Sequence, residues 1–121
     1  MGLILIVDDA AFSRRMIRKA LQADGYDILE ATNGREGLEI ARTHNPDLIL
    51  TDLLMPDMNG FELLKTLTEL GLNIPTIIIT ADIQESSRQQ GLELGAAGFI
   101  NKPPSSAELS NTIQQFFNSQ D

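Results

Sequence analysis

Short, unbroken apolar runs alternate along the chain with longer stretches of helical periodicity, and this alternation constrains the fold more than any other feature. Leu3–Val7 is the first run, and its composition is typical of a strand buried on both faces of a parallel sheet. Comparable runs lie at Leu48–Thr51, Thr76–Ile79 and Gly98–Ile100, and Tyr26–Ala31 is interpreted as a further strand although Asp27 and Glu30 interrupt its apolar residues. The sequence therefore predicts an α/β fold: a doubly wound, five-stranded parallel sheet with helices on both faces.

Amphipathic stretches fill the intervals between these strands. The predicted helices are a segment from Phe12 that stops at Asp24-Gly25, a segment after the Asn33-Gly34 turn, Phe61–Leu70, Gln84–Leu94 and Ser105–Phe117. Apolar periodicity predicts which residues of three helices face the core. They are Phe12, Met16, Ile17, Ala20 and Leu21 of the first helix, Leu63, Leu64, Leu67 and Leu70 of the third, and Leu109, Ile113, Phe116 and Phe117 of the fifth. The basic face of the first helix, Arg14, Arg15, Arg18 and Lys19, is either solvated or a docking surface for an acidic partner.

The composition indicates which kinds of partner and which cellular location suit this chain. The formal net charge of −8 disfavours direct binding of nucleic acid and favours divalent cations and basic protein surfaces. The chain has no cysteine, which excludes disulfides and thiolate metal sites and is consistent with a cytoplasmic location. No apolar run approaches the length of about 18 residues that a membrane span requires, so no membrane association is expected.

Polar residues that could bind a metal ion or take part in a reaction follow four of the predicted strands. Asp8 and Asp9 come after the first strand, Asp52 after the third, Thr80 after the fourth and Lys102 close after the fifth. The carboxyl ends of parallel strands meet at one edge of the sheet, where ligands bind in doubly wound folds. The sequence therefore predicts that three carboxylates, a hydroxyl and an ammonium group converge at that edge.

This combination is suited to phosphoryl chemistry. Three neighbouring carboxylates repel one another, and Mg²⁺ relieves the repulsion because it binds carboxylates while keeping positions for water and phosphate oxygens. Lys102 and Thr80 can contact phosphoryl oxygens. We therefore expect a carboxylate that becomes an aspartyl-phosphate, with positioning and charge neutralisation as the main sources of catalysis.

Several segments together resemble one family over essentially the whole chain, residues 1–121. They are Val7-Asp8-Asp9, Asp52–Gly60, Thr80-Ala81, Gly95-Ala96 and Phe99–Pro103. With these motifs the chain resembles the response regulator receiver domains of two-component signalling, and the opening Asp8–Phe12 is similar to single-domain chemotaxis regulators. The resemblance implies a single receiver domain with a flavodoxin-like fold and strand order 2-1-3-4-5.

The resemblance also implies a role for each acidic residue. Asp52 would be the phosphoacceptor. Asp9 and Asp52 would bind Mg²⁺ directly, Asp8 largely through water, and the backbone carbonyl of Leu54 would complete the protein ligands. Leu54 and Asp82 also occupy positions that tune dephosphorylation in the family.

The remaining roles implied by the resemblance concern the phosphoryl group and the response to it. Thr80 and the backbone amide of Ala81 would contact the phosphoryl group, and Lys102 would pair with it. Phe99 stands where the family keeps an aromatic residue that turns inward when Thr80 moves. The Lys102-Pro103 peptide bond would be cis.

The donor of the phosphoryl group is expected to be another molecule. His44 is the only histidine and lies in a predicted surface loop, so the resemblance implies a sensor histidine kinase or a histidine phosphotransfer protein as the donor. A downstream protein target of unknown identity would read the altered surface. Such a domain catalyses its own phosphorylation and dephosphorylation and is not a turnover enzyme in the usual sense.

Three other classes of protein fit the sequence less well. A haloacid-dehalogenase-type phosphatase would need Asp-x-Asp after the first strand, where this chain has Asp8-Asp9-Ala10-Ala11. A flavodoxin-like phosphate binder would need a phosphate-cradling loop there, and Asp8-Asp9 would repel phosphate. A pure interaction module with an inactive site would be expected to have lost at least one of the five converging groups.

Overall fold

Strands and helices alternate along the chain as the sequence predicts. The computed structural model describes residues 2–82 and 84–119, so Met1, Ile83, Gln120 and Asp121 of the predicted domain 1–121 lie outside the described residues. The elements are β1 (Leu3–Val7), α1 (Ala11–Ala23), β2 (Asp27–Ala31), α2 (Gly34–His44), β3 (Leu48–Asp52), α3 (Gly60–Glu69), β4 (Thr76–Thr80), α4 (Glu85–Glu93), β5 (Gly98–Asn101) and α5 (Ser106–Asn118). None of the helices in this part of the chain is both long and apolar enough to cross a bilayer.

All strands are parallel and pair in the order β2-β1-β3-β4-β5, which confirms the predicted topology. The register brings the carboxyl ends of the strands to one level. Val7 pairs with both Ala31 and Thr51, so Asp8 and Asp52 follow at neighbouring positions. Thr80 pairs with Asn101, and Lys102 therefore follows directly at the same edge.

The two faces of the sheet bury alternate residues of each strand under different helices. Even-numbered residues of β1, such as Ile4 and Ile6, pack with Ile17 of α1 and Ile113 of α5. Odd-numbered residues, such as Leu5 and Val7, pack with helices α2 and α3 on the opposite face. This alternation is the consequence of the two-residue period of a strand.

Three details differ from the sequence prediction. Phe12, Met16 and Leu70 were expected in the core, but all three are exposed. Of α1, only Ile17 and Leu21 are fully buried, whereas Phe12 and Met16 line a groove at the protein surface. Leu70 follows the last residue of α3 as its C-cap, beyond the buried turn.

Candidate functional site

Asp8 is buried and held from several sides at the end of β1. Its side chain is only 2% exposed. The Asp8 amide donates to the carbonyl oxygen of Ala31 at 3.1 Å, and its carboxylate Oδ1 accepts from the amide of Ala10 at 2.9 Å. The next residue, Asp9, is exposed. The turn after β1 therefore carries one fixed carboxylate and one that faces solvent.

The start of α3 fixes the backbone around Asp52, the last residue of β3. Asn59 and Glu62 form a capping box, in which each backbone amide donates to the other residue's side chain. Gly60 donates its amide to the carbonyl oxygen of Leu53 at 2.9 Å. A Cβ atom on Gly60 would lie 2.7 Å from the carbonyl oxygen of Asp52, so a glycine is needed for α3 to approach β3 this closely.

Lys102 connects the two strand ends. Its Nζ lies 2.8 Å from Oδ2 of Asp52 and 2.9 Å from Oδ2 of Asp8. Its backbone amide donates to the carbonyl oxygen of Thr80 at 2.9 Å, which aligns the chain after β5 with the end of β4. The Lys102-Pro103 peptide bond is cis, as predicted.

Asp52 and Asp8 stabilise the protonated, positively charged form of Lys102. Burial by itself would lower the pKa of the ammonium group, because the side chain is only 17% exposed. Hydrogen bonds from Lys102 to Asp52 and Asp8, together with the charges of these carboxylates, outweigh burial and raise the pKa of Lys102 above its ordinary value of 10.5. The group is therefore positively charged at neutral pH.

The predicted acidic residues form a cluster that fits a divalent cation. Asp8, Asp9 and Asp52 each offer one carboxylate oxygen within 4.8 Å of the others. Three carboxylates and the ammonium of Lys102 leave a net charge of −2, which one Mg²⁺ balances. Leu54 lies in the loop two residues after Asp52 with an exposed side chain, and no hydrogen bond among the described residues engages its carbonyl oxygen.

Thr80 and Ala81 lie at the same edge without a hydrogen bond to the Asp52 carboxylate. The Thr80 side chain is buried, and its Oγ1 accepts from the backbone amide of Asp82 at 3.0 Å. Ala81 is exposed in the bend after β4. Within residues 2–82 and 84–119 no hydrogen bond joins either residue to Asp52.

Asp82 ties this bend to the start of α4. One carboxylate oxygen accepts from the backbone amide of Gln84 at 3.0 Å and the other from the hydroxyl of Ser87 at 2.6 Å. The hydrogen bond from Ser87, followed by that from Gln84, lowers the pKa of Asp82. The Thr80 hydroxyl is thus connected through Asp82 to the first turn of α4.

Phe99 packs against α4 from the edge strand β5. The ring is partly buried, and the position of Gly91 explains how it fits, because a Cβ atom there would overlap the ring. The guanidinium carbon of Arg88 lies 5.9 Å from the ring centroid, within range of a cation–π contact. Phe99 is therefore enclosed by α4 rather than by the acidic cluster.

An apolar groove of about 300 Å³ opens beside the cluster. Phe12 and Met16 of α1 line one side, and Ala81, Lys102 and Pro104 line the region next to the reactive edge. Phe12 and Met16 are both exposed there, and together they form an exposed apolar patch of the kind that marks interaction sites. The groove is continuous with the cluster through Lys102.

Arg14 makes a contact to the cluster that the sequence did not predict. Arg14 donates to the backbone carbonyl oxygen of Asp8 and to the side chain of Glu30, although its helix face suggested a solvated or docking surface. Arg18 also pairs with Glu30. The available signal was Glu30, which stands between Leu29 and Ala31 inside β2, because a partly buried charge requires a partner.

Comparisons with known proteins agree with this geometry: residues 4–114 match the response regulator receiver domain family. The chain belongs to this family. The receiver domain is similar to the chemotaxis protein CheY of Thermotoga maritima (39% identity over 101 residues, 83% of this chain and 84% of that protein). It is also similar to PilH of Pseudomonas aeruginosa (36% identity over 115 residues, 93% of this chain and 95% of that protein).

Other relatives are longer than the receiver domain. PhoB, the phosphate regulon transcriptional regulatory protein of Pseudomonas aeruginosa, is 45% identical over 108 residues, which cover 88% of this chain and 47% of PhoB. The chain therefore spans about half the length of the transcriptional regulators that it matches. Among solved structures, the receiver domain of Francisella response regulator 1452 superposes with a TM-score of 0.93 at 29% identity and full coverage of both chains.

Membership of this family establishes the general activity. The receiver domain is a phosphoacceptor of two-component signalling, and members of its family interact with histidine kinases, phosphotransfer proteins and downstream targets. Receiver domains typically bind Mg²⁺ at an acidic pocket, and the chain presents such a cluster.

Proposed function

We propose that residues 1–121 act as one receiver domain whose Asp52 accepts a phosphoryl group from the phosphohistidine of a sensor histidine kinase or a histidine phosphotransfer protein. The main support is the position of the Asp52 carboxylate, which lies 2.8 Å from the Lys102 ammonium and shares a cluster with Asp8 and Asp9. Asp9 and Asp52, with the carbonyl of Leu54, would hold Mg²⁺, and Asp8 would act largely through water. The reaction would take place in the cytoplasm.

The transfer requires little covalent chemistry from the protein. A carboxylate oxygen of Asp52 forms a bond to phosphorus while the bond between phosphorus and the donor histidine nitrogen breaks, and the histidine is released. When bound, Mg²⁺ supplies neutralisation of the charge on the transferred group. Lys102 contacts a phosphoryl oxygen, and Thr80 and the Ala81 amide donate to the others. Attack of water on phosphorus later returns the Asp52 carboxylate and inorganic phosphate.

The apolar groove supports a protein as the donor. The exposed side chains of Phe12 and Met16 lie on α1, and Lys102 borders both the groove and the acidic cluster. A donor helix with apolar residues around its phosphohistidine would cover these side chains while its phosphoryl group reaches Asp52. A small-molecule donor would leave the groove uncovered, and its reaction should not depend on Phe12.

Phosphorylation with acetyl phosphate and Mg²⁺ tests the acceptor. Intact-mass spectrometry should show the addition of one phosphoryl group to the wild type and none to Asp52→Asn. Asp57→Asn is a matched control, because Asp57 is exposed in the loop after β3 and its positive φ of 68° is tolerated by asparagine. Equal labelling of Asp52→Asn and the wild type would refute the assignment.

The response is proposed to be a change of surface around α4 and β5. If Thr80 moves toward the phosphoryl group, its Oγ1 loses the hydrogen bond from the Asp82 amide, and the space beside β4 becomes available to Phe99. Further burial of the ring would contribute about 1–2 kcal/mol, enough to shift a two-state equilibrium about tenfold. A downstream protein could read the altered surface.

Fluorine NMR of the chain with fluorinated phenylalanine tests this response. The Phe99 resonance, assigned by its loss in Phe99→Leu, should move when beryllofluoride and Mg²⁺ are added to the wild type and should stay unchanged in Asp52→Asn. A Phe99 resonance that does not change in a protein able to phosphorylate Asp52 would show that the ring is only part of the core.

A further inference from the structure

Arg14 connects three parts of the fold beside the acidic cluster. Its Nη1 donates to the backbone carbonyl oxygen of Asp8 at 2.7 Å, and its Nε donates to Oε1 of Glu30 at 2.9 Å. Its backbone amide donates to the carbonyl oxygen of Ala10 at 3.0 Å. The side chain is only 16% exposed. Arg14 therefore joins the ends of β1 and β2 to the first turn of α1.

These bonds restrain the turn that carries the two neighbouring carboxylates. No side chain caps α1 at Ala10, a position where Ser, Thr, Asp or Asn would usually supply the bond. Asp9 is exposed and stands between two residues whose carbonyl oxygens both accept hydrogen bonds from Arg14. The position of Asp9 therefore depends on how firmly its two neighbours are held.

We propose that Arg14 is a positioning residue for the cation site: by fixing the turn from Asp8 to Ala10, it keeps the carboxylates of Asp8 and Asp9 within reach of Asp52. This inference rests on the proposed Mg²⁺ site. Groups that orient metal ligands from the outer shell typically change metal affinity by 10–100-fold. Arg14 acts on the ligand's backbone rather than on its carboxylate, so we expect an effect of about tenfold, at the lower end of that range.

The direction of the effect separates positioning from simple electrostatics. The guanidinium group of Arg14 is positively charged, and a nearby positive charge repels Mg²⁺. If charge alone mattered, removal of Arg14 would tighten Mg²⁺ binding. Positioning predicts the opposite result, because a looser turn would hold Asp8 and Asp9 less well.

Arg18 supplies a matched control on the same helix. Its Nη1 donates to Oε2 of Glu30 at 2.6 Å, but within the described part of the chain it makes no hydrogen bond to the turn from Asp8 to Ala10. Arg18→Met therefore removes the same charge and an ion pair with the same partner. The bond from Arg14 to Asp8 remains in that variant.

The experiment compares the wild type with Arg14→Met and Arg18→Met in the full chain. Isothermal titration calorimetry with Mg²⁺ should show binding about tenfold weaker in Arg14→Met and nearly unchanged in Arg18→Met. The comparison is made at a temperature where circular dichroism shows every variant folded, because lower stability alone does not change the affinity of folded molecules. In the metal-free protein, the Ala10 amide should exchange with solvent faster in Arg14→Met than in Arg18→Met.

The possible outcomes are distinct. Unchanged or tighter Mg²⁺ binding in Arg14→Met would overturn the positioning role, and so would equal losses in the two variants. If Arg14→Met does not fold, Arg14→Lys takes its place with the same expectation, because a single ammonium cannot reproduce the two-sided contact of the guanidinium. A wild type that binds no Mg²⁺ would refute the proposed metal site and this inference with it, whereas normal binding in the wild type and in Arg14→Met would refute this inference alone.

Discussion

Replacing Lys102 with methionine tests the charge balance of the reactive cluster. The variant keeps most of the side-chain length but removes the ammonium group that lies 2.9 Å from Asp8 and 2.8 Å from Asp52. Removing one partner of a buried ion pair usually costs about 3–5 kcal/mol. Because Asp52 and Lys102 retain side-chain exposures of 11% and 17%, water can compensate in part, and we expect a loss of about 3 kcal/mol in the free energy of unfolding.

The same substitution should make Mg²⁺ a stronger stabiliser. Without Lys102 the cluster carries three carboxylates and no counter-charge, so a divalent cation should bind more tightly. If the wild type binds Mg²⁺ with a Kd of about 1 mM, then about 10 mM Mg²⁺ adds about 1.4 kcal/mol to its stability. Tenfold tighter binding in the variant would raise that contribution to about 2.7 kcal/mol.

Urea denaturation monitored by far-UV circular dichroism measures both effects. Intrinsic fluorescence is a poor probe here, because the chain has no tryptophan and a single tyrosine. The stability difference between wild type and Lys102→Met should narrow by about 1.3 kcal/mol when Mg²⁺ is added. Lys65→Met, at an exposed position on α3, is the control and should change neither quantity. The reasoning fails if metal-free Lys102→Met is as stable as the wild type, or if Mg²⁺ stabilises the variant less than the wild type.

Other perturbations of the site and of the α4 contact have equally defined results. Asp9→Asn should stabilise the metal-free protein slightly, by relieving repulsion among three carboxylates, and should abolish stabilisation by Mg²⁺ in thermal unfolding. Gly91→Ala should destabilise the protein by roughly 1–3 kcal/mol in urea, because its Cβ overlaps the Phe99 ring; in a Phe99→Leu background the same change should stabilise it by up to about 1 kcal/mol. Because the folded pKa of Lys102 is raised above its ordinary value of 10.5, its stabilising contribution is complete below that pH and is lost as the pH rises through the folded pKa. The alkaline loss should be smaller in Lys102→Met.

Each of these predictions has a contrary outcome. If Asp9→Asn melts at a lower temperature and still responds fully to Mg²⁺, repulsion within the cluster is not important for stability. If Gly91→Ala changes the stability equally in the wild type and in the Phe99→Leu background, the contact with the Phe99 ring is not the cause. An alkaline transition that is identical in Lys102→Met would belong to another group, such as Tyr26, whose pKa is raised mainly by burial.

The sequence was sufficient to predict the sheet and the convergence of its acidic edge. Apolar runs identified every strand except β2, whose sequence is interrupted by Asp27 and Glu30. The rule that parallel strands end at one edge of the sheet predicted that Asp8, Asp52 and Lys102 lie together, as the structure shows. β3 and β4 extend one residue further than predicted, so Asp52 and Thr80 are the last residues of their strands rather than the first loop residues. Apolar runs end at the first polar side chain, whereas backbone pairing continues.

The contacts between elements could not be predicted in the same way. Helical periodicity assigned Phe12 to an inward face, but it does not say which turns of the helix the core covers, and Phe12 is exposed in a surface groove. Periodicity likewise placed Arg14 on a polar face without identifying Glu30 as its partner from β2. The bond between the Thr80 hydroxyl and the Asp82 amide depends on the exact path of a loop, which residue types alone do not determine.

The order of the strands has a consequence for how the chain assembles during synthesis. After β2, each new strand joins the outer side of the strand before it in the sheet: β3 pairs with β1, β4 with β3 and β5 with β4. No strand has to insert between two that are already paired, because each later strand joins a free edge of the sheet. The acidic residues meet when β3 docks, but Lys102 follows Asp52 by 50 residues and arrives only with the last strand. The counter-charge of the cluster is thus the final piece of the sheet edge, and a nascent chain carries unbalanced carboxylates until the whole sheet has formed.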